Sequence, residues 1–292
     1  MLMKKKLLFL LLTLISSINC CIAQDEPDPF DKYAPPGDTY TDLKTALKDG
    51  KLVYRVKLDY QTIEPKLLSK IGKLTSVAAL QFTDNGLSRL PDELTELKNL
   101  TYLSCISNPI TALPKNFGNL SELARLDLHS PKLDSLPTEI AYLKRLRELN
   151  IQNNRADTFY FPNSIGSLSY LNTLLMYNTR IDTLPSSFKE FKRLKSLTIV
   201  MCGLNKIPSS FGKVSTLELL VLDKNQIAVI PKSIFKLTKL KYLSLQDNKL
   251  TVIPDGISIL QELELLDIRG NGFKEQDIAI LKALLPRCKI LY

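Results

Sequence analysis

Ser104, Asp127 and His129 have the residue types of a hydrolytic triad, and His129 is the only histidine in the 292 residues. Such chemistry needs a base beside the serine, an acid that orients the base, and paired backbone donors for an oxyanion. The spacing supplies part of this, because Ser104 and Asp127 stand 23 residues apart and His129 follows two places later. If those places lie on neighbouring strands of an open sheet, there is no pocket and no oxyanion hole. The three therefore read as a polar contact surface, and no catalytic residue is assigned. One histidine and scattered cysteines cannot build a tetrahedral zinc site, and the 11 glycines show no phosphate-loop spacing. No metal and no cofactor is expected.

The elements that must position these side chains come from a repeat. Leucine-type residues recur at Val77, Leu100, Leu123, Leu146, Leu171, Leu194, Leu217, Leu240 and Leu263, with every step 23 residues except the 25 between Leu146 and Leu171. Each opens the pattern LxxLxLxxNxL followed by Leu/Ile-Pro, as in "LELLVLDKNQIAVIP", "LKYLSLQDNKLTVIP" and "LTYLSCISNPITALP". Apolar residues at the fourth and sixth places alternate with polar ones, the period of a strand with one buried face. The Pro and the apolar residues every third place suit a short helical turn returning along the outside. A single copy cannot bury its own apolar face, so copies must stack. Asn85, Asn108, Asn154, Asn225, Asn248 and Asn271 hold the Asn place, where an inward amide can satisfy backbone groups leaving the strand. Pro131 stands there in the fourth copy and cannot, so that turn should differ.

On these residues the chain resembles the leucine-rich repeat family, in the 23-residue class with Leu/Ile-Pro and of exported bacterial type, over about 52–292. The resemblance implies an α/β fold: a right-handed horseshoe solenoid of about ten repeats, with a parallel β-sheet on the concave face and short helical turns on the convex face. A helical cap should precede the array and a truncated repeat should end it. It also implies that binding takes place on the concave strand residues.

Those residues divide into two groups. Leu175, Tyr177, Val200, Met201, Leu219 and Val221 are expected to form one exposed apolar patch in repeats six to eight, with Tyr242 nearby. Tyr102, Arg125 and His129, with Ser104, Asp127 and Glu148, form a polar and aromatic group nearer the N-terminus. The expected function is a non-enzymatic scaffold that binds a protein or peptide through this face. The alternative is a structural or surface lipoprotein, or a coat protein that binds glycan or an anionic surface. Lys189, Lys192, Arg193, Lys195, Lys232, Lys236, Lys239 and Lys241 recur near the outer segments and read as a solvated edge, with contact to an anionic surface as the functional alternative. No aromatic-interleaved basic groove points to nucleic acid.

Residues 1–23 read as a signal peptide: Lys4-Lys5-Lys6, the apolar run Leu7 to Ile15, and Cys21-Ile22-Ala23 before Gln24. The apolar run is too short to span a bilayer. Lipidation of Cys20 is the competing route and the only expected tie to a membrane. Removal of the leader takes three lysines and lowers the formal net charge from +9 to +6. Residues 24–40 read as a flexible linker rich in Pro and acid, and 41–292 as the repeat domain. That domain includes an N-cap helix at 41–50, capped by Thr41, and a C-terminal cap at 272–292. The array is expected to run to the last residue, and the chain to work as an exported monomer in the periplasm, at the outer membrane or outside the cell.

Cys105, Cys202 and Cys288 remain after the leader, and strands about 4.8 Å apart keep Cys105 and Cys202 too distant for a disulfide. All three are expected as buried thiols. The 25-residue repeat, "NNRADTFYFPNSIG", adds Phe159 and Tyr160 in a bulge that is either neutral or an aromatic rim to the concave patch.

Overall fold

Alternation decides the strands. In β2 (Arg55–Asp59) Val56 and Leu58 are fully buried, while Arg55, Lys57 and Asp59 face the other side. The same element recurs as β3 (Ala79–Thr83), β4 (Tyr102–Ile106), β5 (Arg125–His129), β6 (Glu148–Gln152), β7 (Thr173–Tyr177) and β8 (Ser196–Val200). Shorter copies follow as β9 (Leu219–Val221), β10 (Tyr242–Ser244) and β11 (Leu265–Asp267), flanked by β1 (Thr39–Tyr40) and β12 (Lys289–Leu291) at the two edges. The computed structural model describes residues 28–49, 52–152 and 158–292, and there the 12 strands form one parallel sheet in chain order. Equivalent places align across it, so that Leu103, Leu126, Leu149, Leu174 and Leu197 stack in one row. The chain is thus a leucine-rich repeat solenoid with an extended apolar core. The signal peptide 1–23 and Cys20 lie outside the described residues.

The outer return is a row of 3₁₀ turns, and proline starts them. Pro91, Pro137, Pro162, Pro185, Pro208 and Pro231 each precede a turn with φ between −60° and −70°, the angle that the ring enforces. Their missing N–H is no loss at that place, and the proline carbonyl accepts the first turn bond, as from Leu94 N to Pro91 O at 3.1 Å. Successive turns pack closely enough that a Cβ on Gly166 would stand 2.1 Å from Ser187 O, and one on Gly212 2.2 Å from Ser233 O. Glycine is the residue those two contacts require.

Seven of the strands, β2 to β4 and β7 to β10, are followed within three residues by a left-handed non-glycine residue: Tyr60, Asp84, Ser107, Asn178, Met201, Lys224 and Asp247 have φ from 49° to 57°. The asparagine ladder holds these turns. Asn225 Oδ1 accepts from Cys202 N and Leu204 N, both at 3.1 Å, and its Nδ2 donates to Ile199 O at 2.7 Å and Leu222 O at 2.9 Å. Asn108 does the same for Asn85 N and Leu87 N. Where Pro131 breaks the ladder, buried Ser130 substitutes, donating to Ile110 O at 2.7 Å and accepting from Lys132 N at 3.3 Å. Asn154 lies outside the described residues.

Several expectations are corrected. The stretch 24–40, read as a flexible tether, is ordered from residue 28: Pro29–Tyr33 is a short helix with Phe30 buried, and Thr39–Tyr40 pairs with Arg55 and Val56. Its aromatics find an apolar cradle on the sheet, which Pro and acid content alone does not reveal. The cap helix spans Leu43–Asp49, and its first turn is held by Asp42 rather than Thr41, because the carboxylate reaches Thr45 N at 2.7 Å. At the other end, the helix Glu275–Leu284 and β12 close the array. Cys105 and Cys202 are buried and Cys288 is partly exposed, all three free. Phe159 is buried, and rings at 5.1 to 6.0 Å run from it through Phe161 and Phe188 to Phe191 and Phe211. The bulge therefore feeds an internal aromatic spine and forms no rim, with Tyr160 alone exposed.

Candidate concave binding surface

The side of the sheet facing away from the core carries two separate apolar groups, one in each half. In the C-terminal half Val200, Leu219, Val221, Tyr242 and Leu265 cluster together, with Tyr177 and Leu291 against them. This corrects the expected patch in two respects. Val200, Leu219 and Val221 are 2%, 7% and 7% exposed, because parallel neighbours in register shade one another on a face where strands lie so close. Leu175 and Met201 stand apart from the cluster. Met201 is 41% exposed in the left-handed turn after β8, and Leu175 and Tyr177 are half-buried. Burial raises the pKa of the Tyr177 hydroxyl. Tyr242 is buried and donates its hydroxyl to Glu264 at 3.2 Å.

Beyond this cluster the face turns acidic. Asp223 accepts from Ser244 Oγ at 2.6 Å and from Gln246 N at 2.9 Å, and Asp267 is fully buried under Arg269, 2.5 Å away. Burial pushes the Asp223 carboxyl up to about 6 against those two hydrogen bonds.

In the N-terminal half the side chains form a charged network. Arg125 Nε lies 2.9 Å from Asp127 and its Nη1 lies 3.0 Å from Glu148, while Asn150 Nδ2 donates to Asp127 at 2.6 Å. The guanidinium also sits 5.8 Å from the Tyr102 ring centroid. Burial raises the Asp127 carboxyl in spite of Arg125. Burial also acts to raise Glu148, but hydrogen bonds from Lys32 and Tyr33 and the Arg125 charge outweigh it and hold the group below the usual carboxylate range. His129, half-buried at the end of β5, is lowered by burial.

The strand register does place Ser104 beside Asp127. Yet Ser104 is fully buried and the Asp127 carboxylate is committed to Arg125 and Asn150, so nothing in this geometry presents a serine to a substrate. No group of three or more metal-ligating side chains occurs among the described residues, and none of their helices is long and apolar enough to cross a membrane.

Residues that motif reading passed over complete this half. Phe30, Asp31, Lys32 and Tyr33 lie on it, with Arg55 and Ala79 beneath them. The signal available was "PFDKY", two aromatics inside a stretch otherwise rich in Pro and acid.

Two family models match the chain, one described as leucine rich repeat over residues 215–273 and one as leucine-rich repeat region over 54–160. No curated protein matches it. Among solved structures, the internalin InlF of Listeria monocytogenes str. 4b F2365 aligns with a TM-score of 0.60 at 20% identity, over 82% of this chain and 73% of its own. The functional domain of InlJ from Listeria monocytogenes, which includes a cysteine ladder, aligns with a TM-score of 0.58 at 24% identity. That alignment covers 76% of this chain and 44% of InlJ. A leucine-rich repeat protein of Leptospira interrogans aligns at 20% identity over 88% of this chain and all of its own, with a TM-score of 0.33. At these identities the likeness to InlF and InlJ is one of fold.

Proposed function

Because the chain belongs to the leucine-rich repeat family, we propose that it is a non-enzymatic scaffold that binds a protein or peptide on the concave face of its sheet. The observation that carries this is the second apolar layer of Tyr177, Val200, Leu219, Val221, Tyr242 and Leu265, on the side of the sheet that has no core behind it. Its buried members fix the floor of that face, and the apolar surface still open beside it, half-buried Leu175 and Tyr177 and 41% exposed Met201, gains free energy when a partner covers it, an aromatic with Met being a usual contact composition. The charged network of Arg125, Asp127 and Glu148 suits positioning of a partner by complementary charge, and no step of bond chemistry is required. In this reading the protein acts as an exported monomer, in the periplasm, at the outer membrane or outside the cell. The basic and apolar leader at 1–23 supports that placement.

The test uses the accessible edge of the layer, since charges at buried Val200 or Val221 would disturb the sheet itself. Tyr177→Glu with Met201→Glu should leave thermal unfolding within a few degrees and weaken capture of partners from the native envelope at least tenfold. An unchanged set of captured partners would sink the proposal.

A further inference from the structure

The segment 28–36, "DPFDKYAPP", lies across the concave side of β2 to β6 although it belongs to no repeat. Its four central side chains meet an aromatic floor, a cation and an anion on the sheet. Phe30 is 3% exposed, with its ring edge-on to Tyr102 at 5.6 Å and Ala79 beneath. Tyr33 stacks on the same Tyr102 at 6.0 Å with 26° between the planes. Between them Asp31 pairs with Arg55 at 2.9 Å and Lys32 with Glu148 at 2.6 Å. The backbone is read as well: Arg55 Nε donates to Pro35 O at 2.9 Å, and Thr101 Oγ1 donates to Tyr33 O. A basic residue on β2 and an acidic one on β6 thus flank an aromatic floor on β4. Complementary side-chain contacts plus a few bonds to the main chain are how a sheet face recognises a short linear segment.

Nothing in the repeat architecture needs this contact. The cap helix Leu43–Asp49 and β1 already cover the first repeat, and the arm touches the face on which the family reading places ligands. We propose that the Tyr102 groove is a recognition site for a linear peptide of a partner protein, one carrying two aromatics three residues apart with an acidic and a basic residue between them. Segment 28–36 is its resident pseudo-ligand. The arm is joined to β1 through Gly37 and Asp38 alone, so its effective concentration at the groove is on the order of millimolar or above. A ligand must displace it. The proposal rests on the reading that the concave sheet binds protein or peptide, and extends it to the half that the arm now covers.

The test uses the full chain and a fluorescein-labelled peptide of residues 28–36. In the variant Phe30→Ala with Tyr33→Ala the arm should leave the groove, and tryptic cleavage after Lys32 should run at least tenfold faster than in the unaltered chain. That variant should bind the peptide at least tenfold more tightly than the unaltered chain does. A further Tyr102→Ala should remove the binding, and Tyr102→Phe should keep it. A second released variant, Asp31→Lys with Lys32→Glu, leaves both aromatics in place and should also gain affinity for the peptide. Equal cleavage rates, equal peptide binding by released and unaltered chains, or no binding by either released variant would overturn the proposal. So would an unaltered chain that runs as a dimer with exchanged arms. Failure of peptide binding together with loss of partner capture by Tyr177→Glu and Met201→Glu would remove this inference and leave the proposed function standing. Peptide binding with capture unchanged by that pair would keep concave-face recognition and this inference, and would remove the apolar layer as the surface that carries it.

Discussion

The two halves of the concave sheet share one frame and carry opposite surfaces. From β2 to β6 the outward places hold Arg55, Tyr102, Arg125, Asp127 and Glu148, tied by ion pairs and covered by the arm. From β7 to β11 they hold Tyr177, Val200, Leu219, Val221 and Tyr242, then buried Asp223 and Asp267. On the inner side the halves are alike, with the same leucine rows and the same asparagine amides. The difference shows that a solenoid separates stability from recognition: inward places answer to stacking, and outward places are free to differ from one end to the other.

That shared frame predicts the largest effect. Asn225→Ala would strip partners from Cys202 N, Leu204 N, Ile199 O and Leu222 O at once, and should cost about 3 kcal/mol or more in urea unfolding. Asn108→Ala in the other half should cost a similar amount. A loss in one half without the other would break the claim that the frame is common.

The surfaces themselves should respond to acid in opposite directions. Asp223 in the C-terminal half has its carboxyl raised from 3.8 to about 6 by burial, so the folded chain holds a proton that the unfolded chain has released. Its contribution to stability therefore falls as pH rises from about 4 to about 6, by up to about 3 kcal/mol, and stays low above that range. Asp223→Asn keeps an acceptor for Ser244 and Gln246 and should flatten this part of a stability curve measured by urea unfolding from pH 4 to 7. A variant that keeps the slope would show that another group carries it.

Glu148 in the N-terminal half works the other way. Its carboxyl is held below the usual value by Lys32, Tyr33 and Arg125, so its stabilisation is present above about pH 4.5 and is lost as pH falls through the lowered folded value. Glu148→Gln should cost about 1 kcal/mol at neutral pH, with most of the loss expressed locally as faster hydrogen exchange in 28–36. If exchange there does not change, the ion pair with Lys32 does not hold the arm.

Much of the fold was legible because the repeat is dictated by nearest-neighbour physics. A face buried by its own copy must recur wherever the copies stack, and Leu-Pro, Asn and the alternating strand write that requirement into each 23-residue stretch. The substitution at Pro131 was legible as a break, and Ser130 as its repair was not, since one hydroxyl beside a turn has no pattern of its own. The concave residues were legible as places in the register. Their burial was not, because shading by neighbouring strands depends on how strongly the stack curves. The arm was misread for a related reason: composition favours disorder in a Pro- and acid-rich stretch, but Phe30 and Tyr33 meet Tyr102, and Lys32 meets Glu148 at a separation of 116 residues along the chain.

The sequence by itself therefore determined the solenoid, its register and which side chains face outward, since these follow from a local period repeated many times. Only the tertiary structure decided which outward residues are open, which shade each other, and that one half of the concave face is already occupied. Those outcomes depend on contacts between segments with no periodic relation to each other, and no local pattern encodes them.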